Sequence, residues 1–337
     1  MADRPLRVGI DVSPLELTRA GTARHVVSLT QAVDALGEIE LRRYAFAGKG
    51  RSTAAVRDLA WYLGVLPRLA ARDGLDVLHC PTFRAPTRSR VPLVVTVHDL
   101  AVLRHPYLFN RWSRTYARLL LPRVVNAASA VIAVSEFTKR ETIELLRVPQ
   151  EKVHVVPNGV GAPFRPDGPA ADGAYVLAVA TLEPRKNLAR LVDGFRRAGL
   201  EKTELRVAGA RGWGGTAVNG QGVRWLGDVE TDELAALYRG ARCVAYLSVY
   251  EGFGLPVLEA MACGAPVVSA QAQAVREFAK GATVEVDGLD PDSVAAGLVQ
   301  AIDRGDELRA AGLERAAAFG WDEAARRTVV VYRAVAR

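Results

Sequence analysis

Short apolar runs separated by amphipathic stretches recur along the whole chain. In the first half such runs fall at residues 6–12, 41–46, 76–80, 92–97, 130–134 and 153–156. Helical patterns lie between them: one capped by Thr22 and reaching Leu36, one over about 53–71, a basic one over about 110–128, and one over 136–146. Strands this short and apolar, alternating with helices, predict a parallel sheet covered on both faces.

The second half repeats the alternation. Strands are predicted at 175–181, 205–208, 223–226, 243–247, 266–269 and 283–286. Leu188, Leu191, Val192 and Phe195 recur at i, i+3, i+4 and i+7, which predicts a helix with Asn187 as its cap. Thr231 opens a helix through about Arg239, further helices fall near 291–303 and 305–318, and 321–335 reads as a final amphipathic helix. Between Pro157 and Gly173, four prolines (Pro157, Pro163, Pro166, Pro169) lie among Gly and Ala, the composition of a linker. The expected fold is α/β, with two doubly wound parallel-sheet domains, 1–160 and 174–320.

One stretch stands apart from this alternation: Glu251-Gly-Phe-Gly-Leu-Pro-Val-Leu-Glu259, continued by Ala-Met-Ala-Cys-Gly264-Ala-Pro. Pro256 suits the first position of a helix and Gly264 the residue just past its end, so a helix over about 256–263 is expected. Gly252 and Gly254 precede it in a bare loop, leaving N–H groups at the positive end of a helix dipole, a setting for phosphate. Glu251 and Glu259 beside such a site make sense as acceptors for hydroxyls. Taken alone, the pattern also describes a glycine loop and a helix carrying two surface acids.

Other candidates sit at predicted strand ends, where open parallel sheets bind ligands. Glu183-Pro184-Arg185-Lys186-Asn187 puts two adjacent cations there, enough to hold a diphosphate, or a solvated loop. His98 follows the strand at 92–97, where a lone histidine serves structure as readily as chemistry; Asp99 beside it can simply cap the turn. Gly21 opens the first long helix, and Gly209 and Val229 read as turn residues.

Size and charge narrow the picture. A chain of 337 residues exceeds a single core, which supports two domains. The sequence opens directly into a strand, with no signal-peptide pattern and no apolar run of about 18 residues, so a cytoplasmic protein is expected. Cys80, Cys243 and Cys263 are isolated within apolar segments and read as buried thiols. Residues 1–160 hold 23 Lys/Arg against 14 Asp/Glu, an excess of nine, whereas residues 161–337 hold 21 against 23. A basic first half suits an anionic partner or a plain solvated arginine-rich surface. No basic patch interleaved with aromatics appears, so nucleic acid is not expected. Arg111, Arg114 and Arg118 share a helical face, with Arg123 drifting off it and Trp112, Tyr116, Leu119 and Leu120 alongside. Trp61, Tyr62 and Leu63, with Arg57 and Arg68, offer a second patch. Together these suggest peripheral contact with an anionic membrane.

The run Glu-Gly-Phe-Gly-Leu-Pro-x-x-Glu-Ala-Met-Ala-x-Gly-x-Pro-Val-Val resembles the glutamate–seven–glutamate motif of family-4 glycosyltransferases, retaining enzymes of the GT-B fold with nucleotide-sugar donors. The resemblance implies two Rossmann-like domains facing a central cleft. Residues 1–160 would be the acceptor side, joined by the returning helix 321–337, and residues 174–320 the donor side. It implies that Glu251 holds sugar hydroxyls and Glu259 the ribose, and that Arg185, Lys186 and the N–H groups near Gly254 and Leu255 take the diphosphate. His98 would stand against the donor sugar, Gly21 would approach the donor phosphate, and Gly209 and Val229 would line the nucleotide. The chain departs from the family pattern at Ala23 and His25, at Val275-Arg-Glu277 and at Lys280. The implied reaction moves a hexose from GDP-mannose or a UDP-sugar to a glycan, lipid-linked or small-molecule acceptor, with retention and without a metal or cofactor, as in polysaccharide biosynthesis. A sugar-nucleotide epimerase of the same fold and a non-catalytic glycan-assembly partner are the alternatives.

Overall fold

The computed structural model describes residues 4–16, 21–46, 48, 56–212 and 220–336. Packing divides the chain into two compact units: residues through Gly159 together with those from Trp321 onward, and Val160–Gly320.

The first unit is built on six parallel strands: β1 (Leu6–Asp11), β2 (Ile39–Tyr44), β3 (Val77–Cys80), β4 (Leu93–Val97), β5 (Ala130–Ala133) and β6 (Val153–Val155), in the order β2-β1-β3-β4-β5-β6. Successive side chains leave opposite faces of a strand, and the two cores follow that alternation. Leu78, Leu93, Val95, Val131 and Ala133 pack on one side with Tyr62, Leu66, Leu121, Val124 and Leu146. Val77, Val94, Ala130 and Ile132 pack on the other with Leu29 and Val33 of the helix Gly21–Leu36, and with Ala325, Val329 and Tyr332 of the last helix, Trp321–Val335. The last helix therefore completes a face of a sheet whose strands lie more than 150 residues upstream. Its Tyr332 hydroxyl shares a 2.7 Å hydrogen bond with His79 Nδ1, and His79 Nε2 meets Thr96 Oγ1 at 2.8 Å. Burial pushes His79 down to about 3, so the ring is neutral and both nitrogens are occupied.

The second unit repeats the plan with β7 (Tyr175–Val179), β8 (Glu204–Ala208), β9 (Val223–Gly227), β10 (Cys243–Tyr246), β11 (Val267–Ala270) and β12 (Val284–Val286), in the order β12-β11-β10-β7-β8-β9. The chain runs outward from β7 to β9, then returns to β10 on the other side of β7. That reversal opens a crevice between the carboxyl ends of β7 and β10. Leu188, Leu191, Val192 and Phe195 face the core as their spacing requires. Arg239 gathers the proline-rich stretch, donating to the carbonyls of Pro163, Arg165 and Pro169 at 3.2, 3.2 and 2.6 Å.

Several elements differ from the sequence expectation. The second strand lies two residues earlier than expected, at Ile39–Tyr44. The helical pattern at 53–71 is a π-helix, Arg57–Val65, followed by an α-helix, Leu66–Arg72; residues 53–55 lie outside the described ones. Trp61 and Tyr62, expected as a surface patch, are buried there, as is Arg57. The basic helix breaks at Leu120 into Arg111–Leu119 and Leu121–Ala127 because Pro122 has no N–H to continue the ladder. Arg123 Nη1 takes up the Leu119 carbonyl at the break. Tyr116, expected on that helix's apolar surface, is core. Asn187 does not cap its helix: its backbone is left-handed (φ 58°), and its side-chain amide donates to the Gly288 carbonyl at 2.5 Å. Thr22 lies inside the first long helix, which begins at Gly21. Two short helices, Ala101–Arg104 and Gln273–Ala279, carry too little periodicity to be read in advance.

Gly194 is where the helices Leu188–Arg197 and Pro291–Asp303 meet. A Cβ there would lie 2.5 Å from Val294 Cγ1 and 3.1 Å from the Pro291 carbonyl oxygen. Helix propensity favours alanine by about 1 kcal/mol, but overpacking costs about 1–3 kcal/mol. Gly194→Ala is expected to lower stability in a urea titration by about 1 kcal/mol or more; a gain would show that the helices separate freely.

Candidate active site

The crevice at the reversal in the second unit is walled by two loops. The β7 loop ends in the turn Pro184–Lys186; the β10 loop runs from Leu247 to Gly254 and feeds the helix Leu255–Ala262. They are joined by Val249 N–H donating to the Arg185 carbonyl at 3.0 Å, with Ser248 Oγ 3.3 Å from the same oxygen. Pro256 lies in the first turn of the helix and Gly264 follows its end with φ 73°. Gly254 has φ 109°, and a Cβ on it would sit 2.8 Å from Val275 Cγ2, so the tight entry into the helix requires glycine.

Three donors converge on Glu251 Oε1: Lys186 Nζ at 2.5 Å, Ser248 Oγ at 2.5 Å and Arg185 Nη1 at 3.2 Å. Arg185 also donates from Nε to Glu183 at 2.9 Å and from Nη1 to the Tyr250 carbonyl at 3.3 Å. Glu251 is buried. Burial alone would raise its carboxyl, but the charges of Lys186 and Arg185 outweigh it, aided by hydrogen bonds from Lys186 and Ser248, and hold it at about 2. It is an anion at any physiological pH. Tyr246 lies beneath, with Lys186 Nζ 5.4 Å from its ring centre; burial and the neighbouring Glu251 keep its hydroxyl protonated. Glu259, buried one turn into the helix, accepts from the Tyr238 hydroxyl at 3.1 Å. Arg185, Lys186 and Glu251, named separately from the sequence, thus form one connected cluster. Gly254, Leu255 and Glu259 follow on the same loop and helix.

Gly209 ends the neighbouring strand β8 with φ 145°, and a Cβ there would fall 2.2 Å from the Ala180 carbonyl oxygen. Val229 lies half-buried in the turn after β9. Asp290-Pro-Asp292 has an acid-x-acid spacing, but Asp290 caps the helix Pro291–Asp303 and Asp292 pairs with Arg197 at 2.7 Å.

In the first unit, His98 follows β4 and donates from Nε2 to the Pro81 carbonyl at 2.9 Å. Burial lowers its pKa, leaving a neutral ring with its lone pair on Nδ1. Asp99 accepts from the Ala101 N–H at 3.0 Å and so holds the turn. Gly21 opens its helix, but residues 17–20 of the loop before it lie outside the described ones. His25, one turn further on, packs edge-on against His98 with ring centres 4.5 Å apart, and its Nδ1 donates to Asn158 Oδ1 at 2.7 Å. His25, Ser248, Tyr246 and Tyr238 were missed in the sequence. His25 and Tyr238 reach their partners only through the fold, and Ser248 and Tyr246, though next to the motif, carry no pattern that marks them.

The sequence and the fold have known counterparts. The family model described as Glycosyltransferase Family 4 matches residues 9–162, and the model described as Glycosyl transferases group 1 matches residues 164–317. The O-antigen chain mannosyltransferase B of Escherichia coli is 30% identical over 290 residues, covering 78% of this chain and 76% of that protein. Among solved structures, the sucrose-phosphate synthase of Thermosynechococcus elongatus superposes with a TM-score of 0.78 at 18% identity, covering 98% of both chains. HepE of Anabaena, in complex with UDP and glucose, superposes with a TM-score of 0.73 at 17% identity, covering 97% of this chain and 100% of that one. The fold is that of the GT-B glycosyltransferases. The chain belongs to glycosyltransferase family 4.

Because Glu251 is held near 2 against about 4.5 when unfolded, its ion pairs stabilise the fold above pH 4.5, by an amount on the order of 3 kcal/mol. That contribution fades as pH falls from 4.5 toward 2. Glu251→Gln should therefore be less stable than the parent at neutral pH, with the gap in melting temperature narrowing as acid is added. A gap that ignores pH would show that the carboxylate's charge is not what Lys186 and Arg185 require.

Proposed function

We propose that the protein is a retaining, metal-independent hexosyltransferase that takes its sugar from GDP-mannose or a UDP-sugar and passes it to a glycan, lipid-linked or small-molecule acceptor. The observation that carries this reading is the adjacent pair of largely buried cations, Arg185 and Lys186, at the crevice of the second unit. Arg185 and Lys186 stand side by side, oriented by Glu251 and Glu183, in a place where parallel sheets bind ligands. A nucleoside diphosphate would draw on both cations. Arg185, Lys186 and the N–H groups near Gly254 and Leu255 would hold it, and the two cations would stabilise charge as it leaves. Two side-chain cations at this position support a departure that needs no metal.

Glu251, anionic and rigid, would accept from the sugar hydroxyls. Glu259, set by Tyr238, would accept from the ribose, and Gly209 and Val229 would line the base. In the first unit, Gly21 would approach the donor phosphate and neutral His98 would meet the sugar. The names of the relatives support both donor classes: a mannosyltransferase, and a structure holding UDP and glucose.

The test is transfer from a panel of nucleotide sugars, with the product's anomeric configuration read by NMR. Lys186→Ala and Glu251→Gln, folded by circular dichroism, should each lose about a hundredfold or more. Turnover should persist in excess EDTA with the donor configuration retained. Inversion, or rescue only by Mg²⁺ or Mn²⁺, would overturn the mechanism.

We further propose that this cytoplasmic enzyme docks peripherally on anionic membrane. Among the described residues no helix is long and apolar enough to cross a membrane. Arg111, Arg114 and Arg118 are exposed on one helix face beside Leu119, itself 51% exposed. Basic residues at an anionic surface contribute about 1 kcal/mol each. Co-sedimentation with anionic vesicles should weaken with salt and fall when the three arginines become serine. Equal sedimentation with neutral vesicles would refute it.

A further inference from the structure

A second buried charge cluster lies in the first unit, and the donor site makes no use of it. Asp58 is fully buried near the start of the π-helix Arg57–Val65. It receives Arg57 Nε on Oδ1 at 3.0 Å, and on Oδ2 the Trp112 indole N–H at 2.9 Å and Arg84 Nη1. Arg84 also lies over the Tyr116 ring, 4.7 Å from its centre. Two guanidiniums thus share one carboxylate, leaving one positive charge unbalanced. Arg57 is nearly as buried as the acid, with 8% of its side chain exposed, and Arg84 retains 22%. Among the described residues neither arginine is paired with a second carboxylate.

The cluster's place in the fold is that of a binding site. The Tyr62 hydroxyl donates to Asp11 at the end of β1 at 2.7 Å, which fixes the π-helix across the carboxyl edge of the sheet. Arg84 lies just past the end of β3, in the same connection as the Pro81 carbonyl that holds His98. Ligands of open parallel sheets bind along this edge, and π-helical turns are frequent at functional sites. One arginine would suffice to pair with Asp58. A second, desolvated beside it, is costly unless something anionic compensates it. A planar fork of N–H groups suits tetrahedral oxyanions.

We propose that Arg57 and Arg84, held by Asp58 and Trp112, bind a phosphoryl group carried by the acceptor. This rests on the reading of the first unit as the acceptor side. The group is a phosphate monoester, supplied either by a soluble sugar or polyol phosphate or by a lipid phosphate.

The test uses the full chain with saturating nucleoside diphosphate, so that the donor's phosphate site is filled. The Trp112 indole N–H resonance, assigned with Trp112→Phe, reports locally while inorganic phosphate or glycerol 3-phosphate is titrated. Both should shift it saturably. In Arg84→Met the affinity should fall about tenfold. In Asp58→Asn, which removes the competing carboxylate, it should rise about threefold. Arg84→Lys, which keeps the charge and loses the fork, should fall between parent and Arg84→Met. Opposite signs for Arg84→Met and Asp58→Asn, each with a melting curve showing a folded chain, are what a merely structural ion pair would not produce. Competition by phosphatidylcholine vesicles containing phosphatidic acid would identify a lipid phosphate as the source; competition by the soluble ester alone would identify a free one. No shift with any probe, or loss of affinity in both variants, overturns the site. Correct signs with an unchanged KM for a phosphorylated acceptor in Arg84→Met would overturn the acceptor assignment alone. A parent chain that transfers from no nucleotide sugar would strike the transferase reading instead, leaving the anion site standing.

Discussion

All the strands of each sheet point the same way, and that single constraint orders the chemistry. Parallel strands deliver their carboxyl ends to one edge, so every connection that leaves a strand there is a neighbour of the others. In the second unit the β7 and β10 loops meet across the reversal and bring Arg185 and Lys186 onto Glu251, 65 or 66 positions away in sequence. In the first unit the same edge collects Asp11, Arg84, His98 and the start of the Gly21–Leu36 helix. The opposite requirement, that a parallel sheet have both faces dry, accounts for the near-continuous apolar runs and for the helices on either side.

Both units gather cations around a poorly hydrated carboxylate. Two cations stand on Glu251, and two on Asp58. In each case the carboxylate keeps the cations oriented, with Glu183 balancing the second cation beside Glu251 and no such partner beside Asp58 among the described residues. The difference lies in the surroundings: Glu251 adjoins a glycine loop and a helix start, whereas Asp58 adjoins the aromatic side chains of Trp112 and Tyr116. The first setting suits a diphosphate approached by backbone, and the second a phosphoryl group on a body that can lie against rings.

The alternation of strands and helices was legible because a buried parallel strand has little choice of composition. The helix after Gly254 was legible because proline and glycine fix its two ends. Side-chain burial on irregular helices was not. The π-helix turns Trp61 and Tyr62 inward, a rotation that 3.6-residue spacing does not anticipate. Asn187 has the composition of a cap, yet its amide serves the Gly288 carbonyl, 101 positions later. The motif residues could be named from local sequence and resemblance. What holds them could not: Ser248 has no signature of its own, and Tyr238 looks like any core tyrosine until the fold lays it against Glu259.

The first unit is discontinuous, and this has a consequence for how the chain comes into being. A ribosome releases β1 through β6 well before Trp321–Val335, yet Val8, Val94 and Ile132 need that helix to leave water. Until then that face of the nascent first unit is covered only in part, by the helix Gly21–Leu36, while Val160–Gly320 already holds every strand of its own sheet. The second unit can thus close first, and a segment made after it seals the one made before it. Loss of the helix Trp321–Val335 would spare every residue of the crevice between β7 and β10 and still leave the first unit as a target for chaperones and proteases.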